Sequence, residues 1–170
     1  MAFIIENNTV ISFAEYSDLA ARDQRLFDNN ESLTDDVVEP LLIRATERIL
    51  AKIRASDWWV SYYIRRDVSG TPINTVADIP ALDPDKIAAR QNDFADLCVY
   101  TAMSEYILPL IADFGEERNA EVEKMGYYTN KAESLLIELL TAGDWYDFSG
   151  NGTISSAEKQ PGNINLKRVR

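Results

Sequence analysis

The chain has 170 residues, 46% of them apolar and 10% aromatic, which fits a folded domain and excludes a disordered one. It contains no histidine and one cysteine, Cys98, so Ser-His-Asp and Cys-His catalysis, histidine metal sites and an internal disulfide are all excluded. The net charge of −11 is unevenly spread: Lys159, Lys167, Arg168 and Arg170 give residues 159–170 a charge of +4 with no acid, which leaves −15 on residues 1–158.

The N-terminal stretch lacks a basic region followed by an apolar core, so it does not read as a signal peptide, and hydropathy along the chain predicts no membrane span. Residues 1–11 alternate weakly through Phe3, Ile5, Val10 and Ile11 and predict an extended arm or edge strand. Ser12-Phe-Ala-Glu15 has the spacing of a capping box and predicts a helix running to about Phe27. Thr34 or Asp36 caps the next helix, whose apolar stripe is Val38, Leu41, Leu42, Ala45, Ile49 and Ile53; Pro40 is awkward there beyond the first turn. Arg44, Arg48 and Lys52 lie four apart on its other face.

The segment Asp57-Trp-Trp-Val-Ser-Tyr-Tyr-Ile-Arg-Arg66 places Trp59, Tyr62, Tyr63 and Arg66 on one face of a helix, with Trp58 beside them. Aromatics interleaved with arginine suit a partner-binding surface, a nucleic-acid stack that would also use Arg65, or, more plainly, core. The stretch 67–84 is broken by Gly70, Pro72, Pro80 and Pro84 and reads as a long partner-contacting loop. Asp83-Pro84 then predicts the start of a long helix with Ile87, Phe94, Leu97, Cys98, Thr101, Ala102 and Ile107 along one side, kinked or ended at Pro109. A last helix is expected from about Glu116 to Ala142, with Val122, Met125, Ala132, Leu135 and Leu139 as its seam and Gly143 as a left-handed stop. The fold expected is an all-α small helical bundle, residues 1–146, with an extended C-terminal arm after a turn-rich loop in 147–170.

Asp147-Phe-Ser-Gly-Asn-Gly-Thr-Ile-Ser-Ser-Ala-Glu158 has the register of a twelve-residue calcium loop. Asp147, Ser149, Asn151 and the Thr153 carbonyl would supply the first ligands, Gly152 the turn, and Glu158 the bidentate carboxylate. Gly143 cuts the entering helix and Pro161 and Gly162 the exiting one, so a glycine-rich turn with Asp147 and Glu158 bound to backbone amides is the competing reading. No cofactor is required, and calcium is the one candidate. The acidic pairs Asp35/Asp36 and Glu116/Glu117 sit at helix starts, where the dipole explains them.

The order of parts, from the capped helix at Phe13-Ala-Glu-Tyr-Ser-Asp-Leu through Leu33-Thr-Asp-Asp-Val-Val and Ala45-Thr-Glu-Arg-Ile-Leu-Ala-Lys-Ile53 to Phe94-Ala-Asp-Leu-Cys-Val-Tyr and Asn130-Lys-Ala-Glu-Ser-Leu-Leu, resembles the head-to-tail connector (adaptor) proteins of tailed bacteriophages. The likeness covers most of the chain; Pro40 and the calcium-like loop depart from it. It implies a helical subunit of a dodecameric homo-oligomer ring in the virion neck, assembled in the host bacterial cytoplasm. Such a ring sits between the portal protein and the next neck or tail-terminator protein, around a channel through which DNA passes without sequence-specific binding. It implies no catalytic residues. The arm, through Ile164, Leu166, Lys167, Arg168, Val169 and Arg170, is expected to be disordered in an isolated subunit and to order on a neighbour.

Overall fold

The computed structural model describes residues 3–66, 75–115 and 119–159, without the side chains of 64–66 and 76. The chain is predominantly helical, with one small sheet that the all-α expectation omitted. Residues 4–12 form a hairpin, β1 (Ile4–Glu6) and β2 (Thr9–Ser12), so of the two expectations the strand holds, as a pair, and the free arm does not. Asn7 and Asn8, at φ 50° and 63°, make the two-residue turn, a conformation Asn tolerates better than most residues. The Val10 amide donates to Asp85 Oδ1 at 2.8 Å, which ties the hairpin to the middle of the chain.

The Ser12 hydroxyl bonds within its own turn, donating to the Ala14 carbonyl, so the predicted Ser12–Glu15 box is not formed. The reciprocal cap lies three residues on: the Asp18 carboxylate accepts from the Glu15 amide as α1 (Tyr16–Arg22) begins. Asp23 then caps a separate α2 (Gln24–Asn29), so the single helix expected up to Phe27 is two. Next, α3 (Asp35–Arg54) buries Val38, Leu42, Ala45, Ile49 and Ile53, the predicted stripe apart from the half-buried Leu41, and with them Thr46, which the stripe did not include. Pro40 lies inside it and is exposed, so the helix bond lost at the Asp36 carbonyl falls on the solvent side. α4 (Asp57–Arg66) follows after a short turn at Ser56.

Of the loop expected at 67–84, the described part, 75–84, is pinned down. Ile79 and Leu82 are buried, the Ile79 carbonyl accepts from Arg54 at 2.8 Å, and the Pro80 carbonyl accepts from the Trp59 indole at 2.9 Å. Asp83-Pro84 starts a single 3₁₀ turn, not a long helix. Ile87 is drawn out to bridge Tyr146, and Ala88 N–H reaches the Trp145 carbonyl at 3.0 Å. That long-range pairing delays α5 (Gln91–Ala102), which opens behind Arg90 at φ 57°.

Pro109 neither stops nor breaks the helix. A π-helical stretch, Met103–Ile107, precedes it and leads directly into α6 (Leu108–Ile111); widening the turn accommodates the missing donor. The composite run Gln91–Ile111 is the one stretch among the described residues long and apolar enough to cross a membrane, against the hydropathy expectation, but most of it is buried in this chain's own core. Asn119 caps α7 (Ala120–Ala142) by accepting from the Glu121 and Val122 amides. At its far end Gly143 takes the left-handed stop expected, φ 56°. The start expected at Glu116–Glu117 lies outside the described residues.

The layers are simple. α5 packs against α3 on one side and against α7 on the other, and it is the most buried helix. Cys98 sits there, facing Thr46 of α3 at 3.4 Å.

Candidate functional site

Beyond Gly143 the chain turns back across the bundle. The Trp145 indole donates to the Leu139 carbonyl at 2.9 Å, a second donor beside the Gly143 amide that caps the helix there at 3.0 Å. The Asp147 amide donates to the Lys86 carbonyl at 2.9 Å, so backbone pairing on both sides of Tyr146 locks residues 145–147 to residues 86–89. Trp145 is fully buried there, edge-on to Phe94 at 4.8 Å and stacked on Trp58 at 4.6 Å. Phe148 stacks on Tyr62 at 3.7 Å, and Tyr146 meets Trp59 edge-on at 5.1 Å and accepts from the Asp83 amide. Burial pushes the Tyr146 phenol well above its ordinary range and Tyr63, beside Tyr62, up to about 12.

This geometry corrects the partner-facing reading of Trp58, Trp59 and Tyr62. Trp59 is fully buried and the other two nearly so, because the 145–148 segment covers α4; the plainer alternative, core, is what they are. Tyr63 is half-buried, 5.1 Å from Trp59. The side chain of Arg66, and Ile164, Leu166, Lys167, Arg168, Val169 and Arg170, lie outside the described residues. Trp145, Tyr146 and Phe148 were not singled out from sequence, although the aromatic run 145–148 was the available signal.

In the loop that follows, the side-chain oxygens of Asp147, Asn151 and Glu158 accept from the loop's own amides and hydroxyls, the hydroxyls of Ser149 and Thr153 among them. Asp147 Oδ1 accepts from Ser149 Oγ at 3.1 Å and from the Gly150 amide at 2.8 Å, and Oδ2 accepts from the Gly152 amide at 2.6 Å. Asn151 Oδ1 accepts both the amide and the hydroxyl of Thr153 at 2.8 Å. Glu158 Oε1 accepts from the Ser149 amide at 2.8 Å, while Oε2 takes the Ser155 amide at 2.8 Å and its hydroxyl at 2.6 Å. Gly152, at φ 80°, supplies the turn that aims its amide at Asp147.

These bonds set the ionisation. Burial works against the Asp147 charge, and the Gly152 and Gly150 amides with the Ser149 hydroxyl outweigh it, holding the carboxyl below its ordinary range. The Ser155 hydroxyl and amide, with the Ser149 amide, hold Glu158 down at about 2. An open depression of about 410 Å³ lies over the loop, lined by Tyr62, Phe148, Ser149, Asn151, Ser155 and Glu158.

Among the described residues no three His, Cys, Asp or Glu groups converge to hold a metal ion. α7 ends five residues before Asp147, so no helix leads directly into the loop as one does in an EF-hand. As it stands the loop is closed by its own donors, and a calcium ion would have to compete with them. No family model, no curated protein and no solved structure matches this chain.

Proposed function

We infer that this chain is a structural adaptor of a tailed-phage neck, a non-catalytic subunit of a ring, expected to be a dodecamer, between the portal and the next neck or tail-terminator protein. The ring surrounds the DNA channel, and the subunits are assembled in the bacterial cytoplasm for incorporation into the virion. The observation that carries the reading is the division of charge: residues 1–158 hold −15 and residues 159–170 hold +4 with no acid. An acidic wall lets DNA slide past rather than bind, and a basic arm is matched to the acidic body of a neighbouring subunit. The predominantly helical body and the order of its parts are in keeping with this.

The test is assembly of the full chain and of a chain lacking residues 161–170. The truncated chain should keep its helical fold and nearly its melting temperature and should fail to enter the neck. Normal incorporation, or failure to fold, would overturn the role given to the arm. A second reading, a small calcium-binding module, has the register of Asp147 to Glu158 in its favour. A solution mass that changes with calcium and not with concentration would favour it.

A further inference from the structure

The layer order leaves two helix faces on opposite sides of the body, because α5 lies between α3 and α7. α7 buries only Tyr128, Ala132 and Leu139 of its 23 residues. Around the other side of the helix, at helical spacing, run Val122, Gly126, Glu133 and Ile137, with Glu123 flanking them. All are exposed, Ile137 at 65% and Val122 at 40%. Neither Glu123 nor Glu133 has an ion-pair partner among the described residues.

Gly126 is the second observation. A glycine inside an α-helix costs on the order of 1 kcal/mol relative to alanine. A Cβ built on Gly126 meets nothing within 4 Å, so no contact within the described chain calls for its absence. What a helix glycine does allow is close approach by another backbone.

The outward face of α3 is the complement. Val37, Pro40, Arg44, Glu47, Arg48 and Ala51 are exposed along it. Arg44 lies over the Tyr106 ring at 5.0 Å and has no carboxylate partner among the described residues. Arg48 reaches Glu105 only at 3.4 Å, while Lys52 is neutralised by the same carboxylate at 2.8 Å. Arg44, Arg48 and Glu47 leave this face with one net positive charge on a body that is otherwise strongly acidic; the α7 face carries two negative charges.

We propose that the outward face of α7 in one copy packs against the outward face of α3 in the next. Glu133 and Glu123 then face Arg44 and Arg48, and Gly126 admits the neighbouring helix between Val122 and Ile137. Two different, opposed faces make a head-to-tail contact, the kind that closes into a ring when the rotation allows. The inference rests on the ring reading above and gives it its subunit surface.

The test is sedimentation of the full chain over a range of concentrations, with melting temperature as the check on folding. Arg44→Glu and Glu133→Arg should each raise the concentration needed for assembly by about tenfold or more, and the double variant should recover much of the loss. Gly126→Ala should weaken assembly by a similar factor while raising the melting temperature, opposite signs that a merely structural role cannot give. If the wild-type chain forms rings and all three single variants form them at the same concentration, the proposed face is wrong and the ring reading stands. If the wild-type chain forms no assembly larger than a dimer, the ring reading fails and the proposed face with it.

Discussion

Glu158 shows how much of this molecule is decided by single hydrogen bonds. Its carboxyl is held at about 2, against an unfolded value of about 4.3. A depressed acid stabilises its ionised, folded partner, so the loop gains from Glu158 at any pH above about 4.3 and loses that gain as the pH falls towards about 2. A carbon-13 titration should place the Glu158 carboxyl midpoint near 2, and the Ser149 and Ser155 amides should loosen over the same window. A midpoint near the unfolded value would mean that the loop does not hold its carboxylate. Because the same oxygens are already engaged, calorimetry should find calcium affinity no tighter than about 1 mM, and Glu158→Gln should change it little. Micromolar heat abolished by that substitution would restore the calcium module. Cys98 is the opposite case, a buried thiol pushed up to about 11 by loss of solvent. Thiol reagents at neutral pH should modify it only as fast as the chain opens, and prompt modification of the folded protein would contradict the burial.

At the level of elements, α7 gives the sharpest contrast. Leu135 and Leu139 share the apolar seam in the sequence, yet only Leu139 is fully buried and Leu135 is partly covered. Leu139→Ala should therefore cost about 2–5 kcal/mol in chemical denaturation and Leu135→Ala roughly half as much. Equal losses would mean that α7 sits differently on α5. Helical spacing made α3, the middle of α5 and α7 legible, and Gly143 marked a true stop. The start of α5 was not legible, because Ile87 is claimed by Tyr146, a pairing that no local pattern encodes. Arg90 was missed for the same reason. It holds a left-handed φ while its guanidinium reaches Asp144 at 2.9 Å and Glu138 at 3.2 Å, joining the start of α5 to the end of α7. The loop at 147–158 was readable in its register because side-chain turns are local. Whether its oxygens face inward to an ion or outward to amides is set by the backbone path, which spacing alone leaves open.

For the whole molecule, charge sets the approach of one copy to another. Each chain carries −11, so copies repel at long range, whereas the proposed contacts act at close quarters. Raising salt from about 0.01 M to about 0.15 M shortens the screening length from about 30 Å to about 8 Å. That removes repulsion between whole bodies more than attraction between touching groups. Assembly should therefore speed up over this range, as light scattering would follow; a slower rate would mean that attraction between arm and body already governs the encounter.

All three tryptophans of the chain, Trp58, Trp59 and Trp145, lie in one aromatic cluster, the first stacked on both of the others. Indoles at such spacing couple excitonically and collect excitation from the nearby tyrosines, so the emission and near-ultraviolet dichroism of this protein are the signature of one spot. That signature reports whether the 145–148 segment is seated on α4. None of the indoles lies on the outer faces of α3 and α7, so association through those faces is best watched with a fluorophore placed on them.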